Sequence, residues 1–74
     1  MITVEFKLML KDMTGKEETS VETNGDVALP ELSALLGLSH DVVGMLFING
    51  SWARLDSVIH DGDNVRLYPD VEGG

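Results

Sequence analysis

Val42-Val43-Gly44-Met45-Leu46-Phe47-Ile48-Asn49-Gly50 decides the fold. Residues 42–48 form a nearly continuous apolar run of strand length. Asn49-Gly50 is the dipeptide that most readily supplies two positive φ angles for a tight hairpin. A central strand and turn follow, with Ser51 to Arg54 returning as a short strand. Asp61-Gly62-Asp63 reads as a further turn, and Asn64 to Tyr68 as the last strand before Pro69.

Upstream of the central strand, Val27, Leu29, Leu32, Leu35 and Leu36 recur at helical spacing, with Asp26 as a candidate N-cap and Gly37 as the stop. Pro30 fits only the first turn, so the helix start is open over several residues, from the Asp26 cap to as late as Leu29. From Ile2 to Lys11 the chain alternates: Ile2, Val4, Phe6, Leu8 and Leu10 are apolar, Thr3, Glu5, Lys7 and Lys11 polar, and Met9 breaks the pattern. That spacing predicts a half-buried strand. Asp12-Met13-Thr14-Gly15 supplies turn residues, and Lys16 to Thr23 suits an edge strand paired to the first. The order strand, strand, helix, strand, short strand, strand is an α+β layout. One helix packs on one face of a mixed sheet, burying Ile2, Val4, Phe6 and Leu8 beneath Leu32, Leu35 and Leu36. The other face stays open.

Composition excludes much chemistry. The chain has 74 residues, 13 acidic against 5 basic, a net charge of −8 and no cysteine. Thiol nucleophiles, disulfides, thiolate zinc sites and iron–sulfur clusters are therefore absent. The negative charge repels phosphate backbones and anionic lipid, so nucleic acid and membranes are not expected partners, and a basic protein surface is. Glu5, Glu17 and Glu18 interrupt any leader, and no stretch spans a bilayer, which gives a cytoplasmic expectation.

Two histidines and no Gly-rich phosphate loop leave little for a self-sufficient enzyme. His60-Asp61-Gly62-Asp63 carries metal-ligand types, but three ligands within one tight turn rarely point at one centre, and a turn with no metal is the expectation. His40 beside Asp41 is similarly bland. The end of the chain carries more: Gly73-Gly74 lies five residues past Pro69. Extended, Asp70 to Gly74 reaches roughly 15–18 Å at about 3.3–3.6 Å per residue, enough to enter an enclosed active site. A carboxylate repels nucleophiles, so chemistry at this end requires activation, for example adenylation by a partner that uses ATP. The protein would be substrate, not catalyst.

Phe47-Ile48-Asn49-Gly50, Leu55 to His60, Asp61-Gly62-Asp63 and Val65 to Pro69 running into Val71-Glu72-Gly73-Gly74 together resemble the ubiquitin-like sulfur carriers. These comprise the small subunit of molybdopterin synthase and the thiamine-pathway carrier. The resemblance implies a β-grasp (ubiquitin-like) domain over residues 1–69, with a mixed four- to five-stranded sheet and one main helix on one face, and a flexible tail over residues 70–74. It implies that a partner resembling ubiquitin-activating enzymes adenylates Gly74, that the end becomes a thiocarboxylate, and that Asp70, Val71, Glu72 and Gly73 enter a sulfur-accepting synthase. No cofactor is bound by the carrier itself. Leu67-Tyr68-Pro69 is closer to the molybdopterin subunit, whereas thiamine carriers usually lack that proline. Asp70 departs from the molybdopterin pattern, which often has a second proline there. A protein modifier, joined through Gly74 to lysines of targets, is the rival use, and an interaction domain with an idle terminus a third.

Strand alternation also places Met9, Met45 and Phe47 on the open face, with Arg66 and Tyr68 joining them. Such a patch marks a docking surface, a homodimer contact, or side chains that cover one another. Trp52 either closes the end of the core or anchors a partner. Glu17, Glu18 and Glu22 lie on the expected edge strand, where charge discourages edge-to-edge pairing.

Overall fold

A computed structural model describes residues 1–70. In chain order these form β1 (Ile2–Phe6), α1 (Met9–Thr14), β2 (Glu18–Val21), β3 (Val27–Ala28), α2 (Leu29–Leu35), a 3-10 turn (His40–Val42), β4 (Val43–Ile48), β5 (Ser51–Ala53), β6 (Val58–Ile59) and β7 (Asn64–Pro69). The main sheet runs β2-β1-β7-β4-β5. Its central pair, β1 and β7, is parallel, with Val4 opposite Val65, and the other neighbours are antiparallel. This is the α+β, ubiquitin-like β-grasp architecture with a mixed five-stranded sheet.

The core gathers one side of that sheet. Ile2, Val4 and Phe6 of β1, Val65 and Leu67 of β7 and Leu46 of β4 cluster with Leu29 and Leu32 of α2. Period-two alternation selects these residues on the strands, and burying them is the main drive for α2 to lie across the sheet. Pro30 occupies the first turn of α2, where its missing N–H costs nothing.

Three expectations are corrected. The first strand ends at Phe6, not Lys11, and is followed by a helix. β2 offers only four partners, opposite Ile2 to Glu5, and Lys7 N–H makes the last bond to the neighbouring strand, at Leu67 O (3.0 Å). Leu8 then takes φ 53° and ψ −128°, which turns the chain into α1 and leaves its side chain exposed, while Leu10 from α1 is wholly buried. Asp12 to Thr14 therefore belong to a helix that Gly15 terminates, rather than to a hairpin turn.

α2 begins at Leu29 with Ala28 as N-cap, whose N–H donates to Glu31 Oε1 (3.2 Å). Asp26 instead reaches His60 Nδ1 (2.8 Å). Leu35 is exposed, because α2 ends there and the chain turns Leu36 and Leu38 against the core instead. The third difference is a second, two-stranded sheet, β3 with β6, which pairs Val27 with Ile59.

Candidate functional site

With Val65, Leu67 and Pro69 turned to the core, alternation sends Arg66 and Tyr68 to the open face of β7. Leu46 is buried on β4, so Met45 and Phe47 share that face. The register places Met45 opposite Tyr68, and Phe47 opposite both Arg66 and Trp52. The rings of Phe47 and Tyr68 sit 5.5 Å apart at an interplanar angle of 59°, an edge-tilted geometry favourable to aromatic quadrupoles. The structure thus brings together Met45, Phe47, Arg66 and Tyr68. Met9 is not among them, because it lies on α1.

Trp52 completes the patch. It pairs directly with Phe47 and is 64% exposed, so it lies on the open face and does not close the core. Its place in the pairing follows from the Asn49-Gly50 turn, since Asn49 and Gly50 adopt φ 52° and 86° and set Ser51 opposite Ile48. The flank of the patch is polar. Glu5 Oε2 accepts from Lys7 Nζ (2.9 Å) and lies 3.9 Å from Arg66 Nε. The Lys7 hydrogen bond and charge, with a smaller contribution from Arg66, hold the Glu5 carboxyl below its ordinary range. The patch can therefore offer an apolar centre with a charged rim, the composition of a protein-docking surface.

β7 leads from this face to the tail. Asp70, its first residue, is exposed at the side chain, and its N–H donates to Val42 O (2.8 Å). Opposite it, β4 carries a bulge: Val43 pairs with Pro69 and Met45 with Tyr68, so Gly44 is an extra residue. The bulge shifts the alternation by one, which lets odd-numbered Val43 face the core together with Leu46. A Cβ on Gly44 would stand 2.6 Å from Asp70 Cα, 2.9 Å from Pro69 O and 3.0 Å from Asp70 N. Sequence reading passed over this residue, although a glycine inside an apolar strand is a signal of a bulge or close backbone approach. The remaining tail residues, Val71, Glu72, Gly73 and Gly74, lie outside the described residues.

The residues with metal-ligand chemistry serve turns. Asp63 Oδ2 accepts from His60 N–H (2.9 Å), and Asp63 Oδ1 from Asn49 Nδ2 (2.9 Å), while His60 Nδ1 meets Asp26. Among the described residues, no group of three or more His, Asp or Glu side chains is placed to hold a metal ion. Glu18 lies on β2, an edge of the main sheet, and is exposed. No helix among the described residues is long and apolar enough to cross a membrane.

Comparison with known proteins gives a family described as Mut7-C ubiquitin, matched by residues 1–73. Among solved structures, the chain is similar to SAMP1 from Haloferax volcanii, at 26% identity over 99% of this chain and 98% of that one, with a TM-score of 0.71. A putative molybdopterin converting factor, subunit 1, from Pyrococcus furiosus is similar at 20% identity over 95% of this chain and 97% of that one, with a TM-score of 0.72. The Haloferax volcanii HVO 2177 protein is similar at 18% identity over 99% and 85%, with a TM-score of 0.75. Comparison with curated proteins gave no match.

Proposed function

The chain belongs to the Mut7-C ubiquitin family, and from that premise we propose that it is a sulfur carrier acting in molybdopterin or tungstopterin synthesis. Residues 1–69 are the docking body and residues 70–74 the tail. The observation that carries this reading is that β7, the middle strand of the sheet, carries Tyr68 of the aromatic pair and is followed in sequence, after Asp70, by Val71-Glu72-Gly73-Gly74. One strand thus lies between a docking surface and a segment whose sequence closes with two glycines.

The chemistry belongs to the partners. A carboxylate oxygen of Gly74 attacks the α-phosphorus of ATP on an enzyme of the ubiquitin-activating class, releasing pyrophosphate. The acyl-adenylate is now electrophilic, and a hydrosulfide equivalent displaces AMP to leave a thiocarboxylate. Gly73, Glu72, Val71 and Asp70 thread the end into a synthase subunit that accepts the sulfur. Met45, Phe47, Arg66 and Tyr68 dock the body, and Asp70 and Glu72 orient the tail toward basic groups lining the partner channel. ATP is bound by the activating enzyme, and the carrier itself holds no cofactor.

The test is the intact mass of the protein after incubation with ATP, a sulfur source and an activating enzyme. Exchange of one terminal oxygen for sulfur, lost on deletion of Gly74, supports the carrier. Continued sulfur transfer by a chain lacking Gly73 and Gly74 overturns it. The likeness to SAMP1, which is described elsewhere among the solved structures as small archaeal modifier protein 1, favours a second reading. In that reading Gly74 is joined to lysines of other proteins, and the readout is conjugates of raised mass in extracts.

A further inference from the structure

Gly44 and Asp70 approach more closely than any side chain at position 44 allows. All three atoms that a Cβ on Gly44 would meet within 3.0 Å are backbone: Asp70 Cα, Pro69 O and Asp70 N. None is the end of a flexible side chain, so relief requires backbone to move, and any such shift separates Asp70 from its present seat against β4. Asp70 N–H is also held by Val42 O at 2.8 Å. The β4 bulge places Gly44 as the unpaired residue against this point. Asp70 is therefore seated between a carbonyl that holds it and a glycine whose missing side chain makes room for it.

We infer that Gly44 is a positioning residue for the reaction at the chain's end. It fixes the position of Asp70, the last described residue before the tail, relative to the docking face of Met45, Phe47 and Tyr68. This rests on the carrier or modifier use of Gly74 proposed above, and both uses need the same seat. With the face engaged, an error of an ångström at Asp70 shifts the point from which the rest of the chain must enter the partner's channel. Misplacement on that scale lowers rates by about a hundredfold in oriented reactions.

The experiment uses the full chain with a purified activating enzyme that charges it, read by ATP–pyrophosphate exchange. Gly44→Ala is expected to lower kcat by about ten- to a hundredfold with KM for the carrier within about twofold, because the docking face is untouched. Loss of folded protein would instead raise the apparent KM and leave kcat at saturation unchanged, so the split separates positioning from stability. Amide exchange supplies an enzyme-free readout: Asp70 N–H should lose protection in Gly44→Ala while the amides of β1 keep theirs. If Gly44→Ala does not fold, Asp70→Gly serves instead, since glycine loosens the seat from the other side. It should lower kcat more than Asp70→Asn, which removes only the charge. Wild-type kcat in Gly44→Ala, or equal kcat in Asp70→Gly and Asp70→Asn, overturns the inference. A native chain that no activating enzyme charges overturns the functional reading itself, a separate result visible before any variant is made.

Discussion

Phe47 and Tyr68 come from neighbouring strands and face each other diagonally, ring centroids 5.5 Å apart, on the side of the sheet that α2 does not cover. Each is half-buried, so each ring has one side on the protein and one available to a partner. Aromatic pairs in such surroundings supply the anchors of protein interfaces. Phe47→Ala is expected to weaken binding to the activating enzyme by about 2 kcal/mol or more. The same change should lower the stability of the free protein by about 1 kcal/mol for the aromatic pair, plus the contribution of the share of the ring's apolar area that is buried. Titration calorimetry and thermal melting separate the two effects, and an unchanged affinity would remove this face from the interface.

The hairpin after β4 makes a second prediction. Asn49 sits at φ 52°, its N–H donates to Asn64 O (2.7 Å), its Nδ2 to Asp63 Oδ1 (2.9 Å), and its Oδ1 accepts from Asn64 N–H (2.9 Å). Asn49→Ala should destabilise by about 1–3 kcal/mol, combining the left-handed backbone penalty with lost hydrogen bonds. Asn49→Gly should recover the backbone share and leave the hydrogen-bond share missing. Urea melts of the pair divide the two contributions.

His60 gives a pH dependence. Its hydrogen bond to Asp26, then the charge of Asp26 and that of Asp63, raise the imidazole above its ordinary value. A raised folded pKa means the folded state binds the proton more tightly. The resulting stability is fully present below the unfolded value, about 6.5, and is lost as the pH rises through the folded value. The pair is well exposed, so the effect should be small and weaker still in salt. Asp26→Asn should bring the His60 titration, followed by NMR, back toward the unfolded value and flatten this part of the melting profile.

In the core, Leu46 is wholly buried between Leu67 and Ala53. Leu46→Ala should cost about 2–5 kcal/mol. A domain this size commonly holds only about 3–5 kcal/mol in all, so the variant should be largely unfolded at 37 °C by circular dichroism. Retention of a native melting temperature would contradict the packing described.

The strands that alternate cleanly, and the body of the helix up to its Gly37 stop, were legible because each carries its period over several residues, whereas the helix start was not, since Val27 extends the apolar series into β3. α1 was not. Leu8 and Leu10 continue the even-numbered apolar series of β1, so period-two reading runs straight through a chain reversal that depends on Leu8 adopting a positive φ. The helical signal was present but short: Met9 and Met13 are four apart, and Thr14 caps back onto Leu10 O (2.9 Å) ahead of Gly15. β3 and β6 have two residues each, too few for any period, and form through contact between distant segments. Met45, Phe47, Arg66 and Tyr68 followed from alternation, whereas Met9 did not, because α1 interrupts the strand. Gly44 did not, because its meaning depends on Asp70, twenty-six positions away, passing over it.

The parallel pairing of β1 with β7 joins the two ends of the chain at the middle of the sheet. Val4 meets Val65, so the middle of the sheet closes a loop spanning nearly the whole sequence, at an entropic cost of about 4 kcal/mol before its contacts repay it. Such long-range closure slows folding relative to helical chains of the same size. It also makes β7 the keystone: neither half of the sheet has its central neighbour until this strand docks. The segment that precedes Gly-Gly in the sequence is thus the strand without which the sheet has no middle, and a chain lacking that strand in place has no seated Asp70 to offer. An activating enzyme that requires that seat would thereby test the integrity of the whole domain each time it accepts a tail.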